Sequence, residues 1–76
     1  TNEVENFISG AENALEDFNQ SINLNPEHFL SYYNRGAILE KLEKQAEAIE
    51  EYKKALHLNP EFYLASERLS YLENLN

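Results

Sequence analysis

Leu24-Asn25-Pro26-Glu27 returns as Leu58-Asn59-Pro60-Glu61, 34 residues further along the chain. The match extends outward from these anchors: Ala14 pairs with Ala48, Glu16 with Glu50, Phe18 with Tyr52, Ile22 with Leu56 and Leu30 with Leu64. A period of this size points to a stacked repeat array rather than a single closed core. In such arrays the surface created by stacking carries the function. The repeat therefore directs attention to a binding groove and away from a catalytic pocket.

Ala48, Ile49, Tyr52, Ala55 and Leu56 follow the i, i+3, i+4, i+7 spacing of an amphipathic helix over residues 46–58. Ala14, Leu15, Phe18 and Ile22 repeat that pattern in the earlier copy. Both runs reach Asn-Pro. Proline disfavours helical geometry in the residue before it and suits the first turn of a new helix. Leu24-Asn25 and Leu58-Asn59 are thus predicted helix stops, with Asn25 and Asn59 able to cap the helices that follow. Phe29, Tyr32, Gly36, Leu39 and Leu42 mark one face of a helix ending near residues 41–43. Glu43-Lys44-Gln45 makes the turn. The unit is helix, short turn, helix, short turn, and such a hairpin needs neighbours to bury its face.

In this pattern the chain resembles the tetratricopeptide repeat family. That family places an aromatic, a large apolar residue, a small residue and another aromatic or aliphatic residue on the first helix. A small residue, an aromatic, a second small residue and a terminal proline follow on the second. Within residues 29–62 these positions fall on Tyr32, Gly36 and Leu39, then Ala48, Tyr52, Ala55 and Pro60. Arg35 stands where the family has a large apolar side chain, and Ser21 where it has alanine. The resemblance implies an all-α fold of antiparallel helical hairpins, stacked as a short right-handed superhelix. It divides the single domain into a partial repeat at 1–28, a complete repeat at 29–62 and a C-terminal capping helix at 63–76. Gly36 costs roughly 1 kcal/mol relative to alanine inside a helix. Close approach of the facing helix explains it, with Ala48 the expected partner and Tyr52 filling the space between hairpins.

Composition narrows the function. A chain of 76 residues buries about 60% of the surface its unfolded form exposes. With 42% hydrophobic residues it can still form a modest core. It has no cysteine, so disulfides and thiolate metal sites are excluded. No apolar run approaches the roughly 20 residues that cross a bilayer, and no signal-peptide pattern opens the chain. The reading is a soluble, cytoplasmic protein. The net charge of −8 is uneven, because residues 1–34 hold six acids and no Lys or Arg. A nucleic-acid binder needs a basic stripe to displace counterions, so neither nucleic acid nor an anionic membrane is an expected partner. A basic peptide or segment is electrostatically suited, although a solvated acidic face also serves solubility alone.

The ends differ in kind. Ser66, Ser70 and Glu73 fall in register with Tyr32, Gly36 and Leu39, forming a polar stripe opposite Ala65, Leu69 and Leu72. That is the pattern of a capping helix, with a polar outer face and no repeat following. At the N-terminus, Ser9-Gly10 is the favoured hairpin turn, since glycine breaks helices and the family alignment places a turn there. One long helix over about residues 3–24 is the alternative, because Val4, Phe7, Ile8 and Ala11 keep the helical period through Gly10. It would leave an apolar face uncovered and invite self-association.

No catalytic, metal or cofactor site is expected. His28 and His57 are the only histidines, are isolated from each other, and read as solvent-facing. No phosphate loop and no Ser/His/Asp arrangement can be assembled. The resemblance instead implies a peptide-binding groove formed by first helices, lined here by Leu30, Tyr33, Asn34, Ala37, Leu64, Arg68 and Tyr71. Tyr33 and Tyr71 supply contact area, Asn34 bonds a partner's backbone and Arg68 meets an acid. Members of the family that clamp a terminal carboxylate use Lys and Asn, then Asn, then Lys and Arg on successive first helices. Only Asn34 and Arg68 match, with Leu64 and Glu3 in two of the other slots. A clamp is accordingly the lesser reading, behind a protein-interaction module and, as its alternative, self-assembly through the incomplete N-terminal helix.

Overall fold

The computed structural model describes residues 2–75; positions 1 and 76, the outer limits of the expected segments, lie outside the description. Four helices follow in order: α1 Asn2–Leu24, α2 Phe29–Lys41, α3 Gln45–Leu58 and α4 Tyr63–Glu73. Each packs on its neighbours in the chain, giving a slab with Cα extents of 40 × 35 × 16 Å. No described helix is long and apolar enough to cross a membrane.

The duplicated phrase folds into a duplicated turn. After α1, Asn25 Oδ1 accepts from the Glu27 N–H at 3.3 Å, and the His28 N–H donates to the Asn25 carbonyl at 3.1 Å. After α3, Asn59 Oδ1 accepts from the Glu61 N–H at 3.3 Å, and the Phe62 N–H donates to the Asn59 carbonyl at 3.0 Å. This corrects the capping role expected of the asparagines. Their side chains close Asx turns over the prolines, and the next helices begin at Phe29 and Tyr63 without a side-chain cap.

Residues 42–44 join α2 to α3 through a Schellman motif. The Lys44 N–H donates to the Leu39 carbonyl at 2.9 Å and the Glu43 N–H to the Glu40 carbonyl at 3.0 Å. The motif requires a left-handed residue, ordinarily glycine. Here it is Glu43, with φ 62°.

At the N-terminus the favoured hairpin turn is overturned: α1 runs unbroken through Ser9 and Gly10. The repeat register supplies a physical reason. Folding back at Gly10 would put Glu5 in the slot that Leu39 fills, and Leu39 is buried in the core. A carboxylate there would be desolvated without a partner. Running straight on instead buries Ala11 and sets Phe7 beside Ile38 and Lys41 of α2.

The core comprises Leu39, Ala48, Tyr52, Ala55, Ala65 and Leu72, flanked by Leu15, Phe29, Tyr33, Phe62 and Leu69. Tyr52 is the largest side chain fully enclosed. The atoms nearest a Cβ at Gly36 belong to Tyr52 and Glu51 rather than to Ala48, the partner expected: Tyr52 Cε1 would lie 2.9 Å away. Within α4, Ala65 and Leu72 are buried while Ser66, Ser70 and Glu73 are exposed, matching the two faces read from the sequence.

Candidate functional site

The expected groove residues occupy one face of α2 and one of α4. Leu30, Tyr33, Asn34 and Ala37 are spaced i, i+3, i+4, i+7 on α2, and Leu64, Arg68 and Tyr71 are spaced i, i+4, i+7 on α4. Helical geometry puts each set on one side. Leu30, Leu64 and Tyr71 are 41%, 49% and 53% exposed. Asn34 and Ala37 are half-buried. Tyr33 turns inward, with ring centroids 5.6 Å from Tyr52 and 5.1 Å from Phe62. It belongs to the packing beneath the face as much as to the face.

Arg68 is not the free cation expected. Its Nε donates to Glu40 Oε1 at 3.1 Å, and its Nη2 pairs with Glu40 Oε2. Its guanidinium also lies 4.6 Å from the Tyr71 ring centroid. Tyr52 Oη donates to the same Glu40 Oε1 at 2.9 Å. Glu40 therefore ties α2, α3 and α4 together. Burial works against its charge, but hydrogen bonds from Arg68 and Tyr52 and the charge of Arg68 outweigh that. They hold the Glu40 carboxyl below its usual range. Burial first, and then the bond to Glu40, pushes the Tyr52 hydroxyl well above its ordinary value.

A second polar clip ties α1, α2 and α3. Arg35 Nε donates to Glu51 Oε2 at 2.6 Å and its Nη1 to Asn19 Oδ1 at 2.7 Å. Glu51 is itself buried, and Lys54 Nζ lies 3.6 Å from its other oxygen. Arg35 thus fills a slot ordinarily apolar by bringing its counter-charge with it. The signal was present in the sequence: an arginine in an apolar slot requires an acid on the facing helix.

A third cluster went unread. Ser31 Oγ, buried, lies 2.6 Å from His28 Nδ1 and 2.8 Å from Ser21 Oγ. The enclosed hydroxyl cannot meet a substrate, so the contact satisfies buried polarity rather than activating a nucleophile. Comparison at the 34-residue offset would have revealed it, since the second copy has Phe62, Ala65 and Ala55 at the same places. Among the described residues no three His, Cys, Asp or Glu side chains converge as metal ligands.

The geometry is therefore two polar clips, with exposed apolar side chains at Leu30 on α2 and at Leu64 and Tyr71 on α4. A family model for the tetratricopeptide repeat matches residues 29–62, spanning α2, α3 and the turn after α3. Neither a curated protein nor a solved structure matches the chain. The hairpin of Phe29 to Phe62, with Gly36 against Tyr52 and Asn59-Pro60 closing it, is a tetratricopeptide repeat, a unit typical of protein–protein interaction modules.

Proposed function

We propose that the chain holds a peptide segment of a partner protein across the α2–α4 face, in contact with Leu30, Leu64 and Tyr71. The observation that supports this reading is the exposure of those three large side chains, Leu30 on α2 and Leu64 and Tyr71 on α4. Exposed apolar residues grouped together mark an interaction surface. The half-buried Asn34 offers a hydrogen-bonding side chain beside them. Because Glu40 already meets the charge of Arg68, selectivity at the centre rests on apolar and aromatic contact. The net charge of −8 favours basic flanks on the ligand.

The test is selection of peptides from a random display library on the intact chain, followed by affinity measurements with variants. Leu64→Ala and Tyr71→Ala should each weaken the selected peptides about tenfold or more, equivalent to ~1.4 kcal/mol. Both residues are exposed, so the substitutions leave the core intact. Arg68→Ala is a poorer probe, because it strands Glu40. Peptides insensitive to both variants would place the binding surface elsewhere.

A further inference from the structure

The two copies of the repeat differ in what covers them. Ala48, Glu51 and Tyr52 on α3 are buried. Helix α2 lies over this flank, with Gly36 above the Tyr52 ring and Arg35 on Glu51. Ala14, Asp17 and Phe18 stand at the same places on α1. The chemistry is the same (a small residue, an acid, an aromatic), but α1 continues straight and, among the described residues, no helix folds back over them. Ala14 and Phe18 are only half-buried and Asp17 is exposed. A Cβ on Gly10, one turn earlier, would meet nothing within 4 Å.

We propose that this flank of α1 is a docking surface for an amphipathic helix of a partner protein, carrying an arginine directly before a small residue. The repeat defines the complement. A small residue is required over Phe18, as Gly36 is over Tyr52, where a side chain would collide. An arginine before it reaches Asp17 as Arg35 reaches Glu51. Charge agrees, because residues 1–34 carry six acids and no Lys or Arg. A second copy of the folded chain does not fit. Its own Arg35 and Gly36 are engaged with α3, and α4 has half-buried Leu69 and polar Ser70 at the corresponding places. This surface is separate from the α2–α4 face, and the proposal does not rest on that reading.

The probe is a synthetic peptide of residues 27–44, which holds the Arg35-Gly36 pair, titrated into the 15N-labelled intact chain. Saturable shift changes should centre on Ala14, Asp17 and Phe18. Affinity should fall about tenfold or more with Arg35→Glu in the peptide, or with Asp17→Lys in the chain, and recover in part when the two are combined. Asp17 is exposed, so that substitution leaves the fold in place. No shifts at about 1 mM peptide, shifts centred on Leu30, Leu64 and Tyr71, or equal binding of both peptides would overturn the proposal. So would a dimer of the chain alone with the Ala14–Phe18 flank buried in it.

Discussion

The two helical glycines should respond to alanine with opposite signs. Replacing glycine by alanine inside a helix gains about 1 kcal/mol from backbone entropy. At Gly10 nothing lies within 4 Å of the new methyl, so Gly10→Ala should realise the whole gain. In a domain of this size that raises Tm by roughly 4–8 °C. At Gly36 the methyl would come to 2.9 Å from Tyr52 Cε1, 3.1 Å from Cδ1 and 3.3 Å from Glu51 Cβ. The ring has nowhere to go: Tyr52 is 1% exposed and its hydroxyl is held by Glu40. Overpacking of this kind costs about 1–3 kcal/mol. Set against the helical gain, Gly36→Ala should lose about 1 kcal/mol net. Urea unfolding followed by far-UV circular dichroism measures both, with a common m-value as the check that the denatured states match. A destabilising Gly10→Ala would refute the unbroken α1. A Gly36→Ala variant as stabilised as Gly10→Ala would refute the pinning of Tyr52.

Three further outcomes are expected. Glu43→Gly should stabilise by about 0.5–1 kcal/mol in the same unfolding assay, because φ 62° strains any side-chain-bearing residue; a loss would mean that the Glu43 side chain contributes more than its backbone costs. Ser21→Ala and Ser31→Ala should each cost about 1 kcal/mol, and the double variant less than their sum, since removing both leaves one fewer unpaired hydroxyl at the seam. Strict additivity would show that the hydroxyls do not interact. Glu40→Gln should lower stability at pH 7 by about 1 kcal/mol, a value discounted for the partial exposure of Arg68. The folded Glu40 titrates lower than the unfolded one, so its contribution is present above the unfolded pKa and disappears as pH falls through the folded pKa. Stability curves of the parent and the variant should therefore converge as pH falls through the folded Glu40 pKa, and parallel curves would remove the clip as their cause.

Helix ends and the hairpin were legible because they rest on local chemistry. Leu-Asn-Pro stops a helix wherever it occurs, and aromatic and small residues at helical spacing identify their own buried face. Gly10 was misjudged for a related reason. A glycine signals a turn locally, but whether the chain turns depends on what the returning segment would bury, and Glu5 made that unfavourable. The pairing of Arg68 with Glu40 spans 28 residues and two helices. Matching Arg68 to a family position said what it could bind without showing that the chain already supplies the acid. The partner of Gly36 was likewise a question of side-chain direction across the hairpin. Spacing places Ala48 and Tyr52 on one face and does not choose between them.

The unlike seams bear on how a chain with two similar copies finds its proper order. Helices α2 and α4 carry related sequences, and each must settle against a different partner during folding. Ser31 on α2 is buried against Ser21, whereas Ala65 on α4 takes the corresponding place beside Ala55. Were the two to exchange places, a hydroxyl would be buried against methyl groups on each side, at about 1–3 kcal/mol for each stranded group. Misassembly is the characteristic failure of repeated sequences. The His28–Ser31–Ser21 chain gives the first seam an address the second cannot read, so assembly order is written in three side chains that do not touch the proposed ligand face.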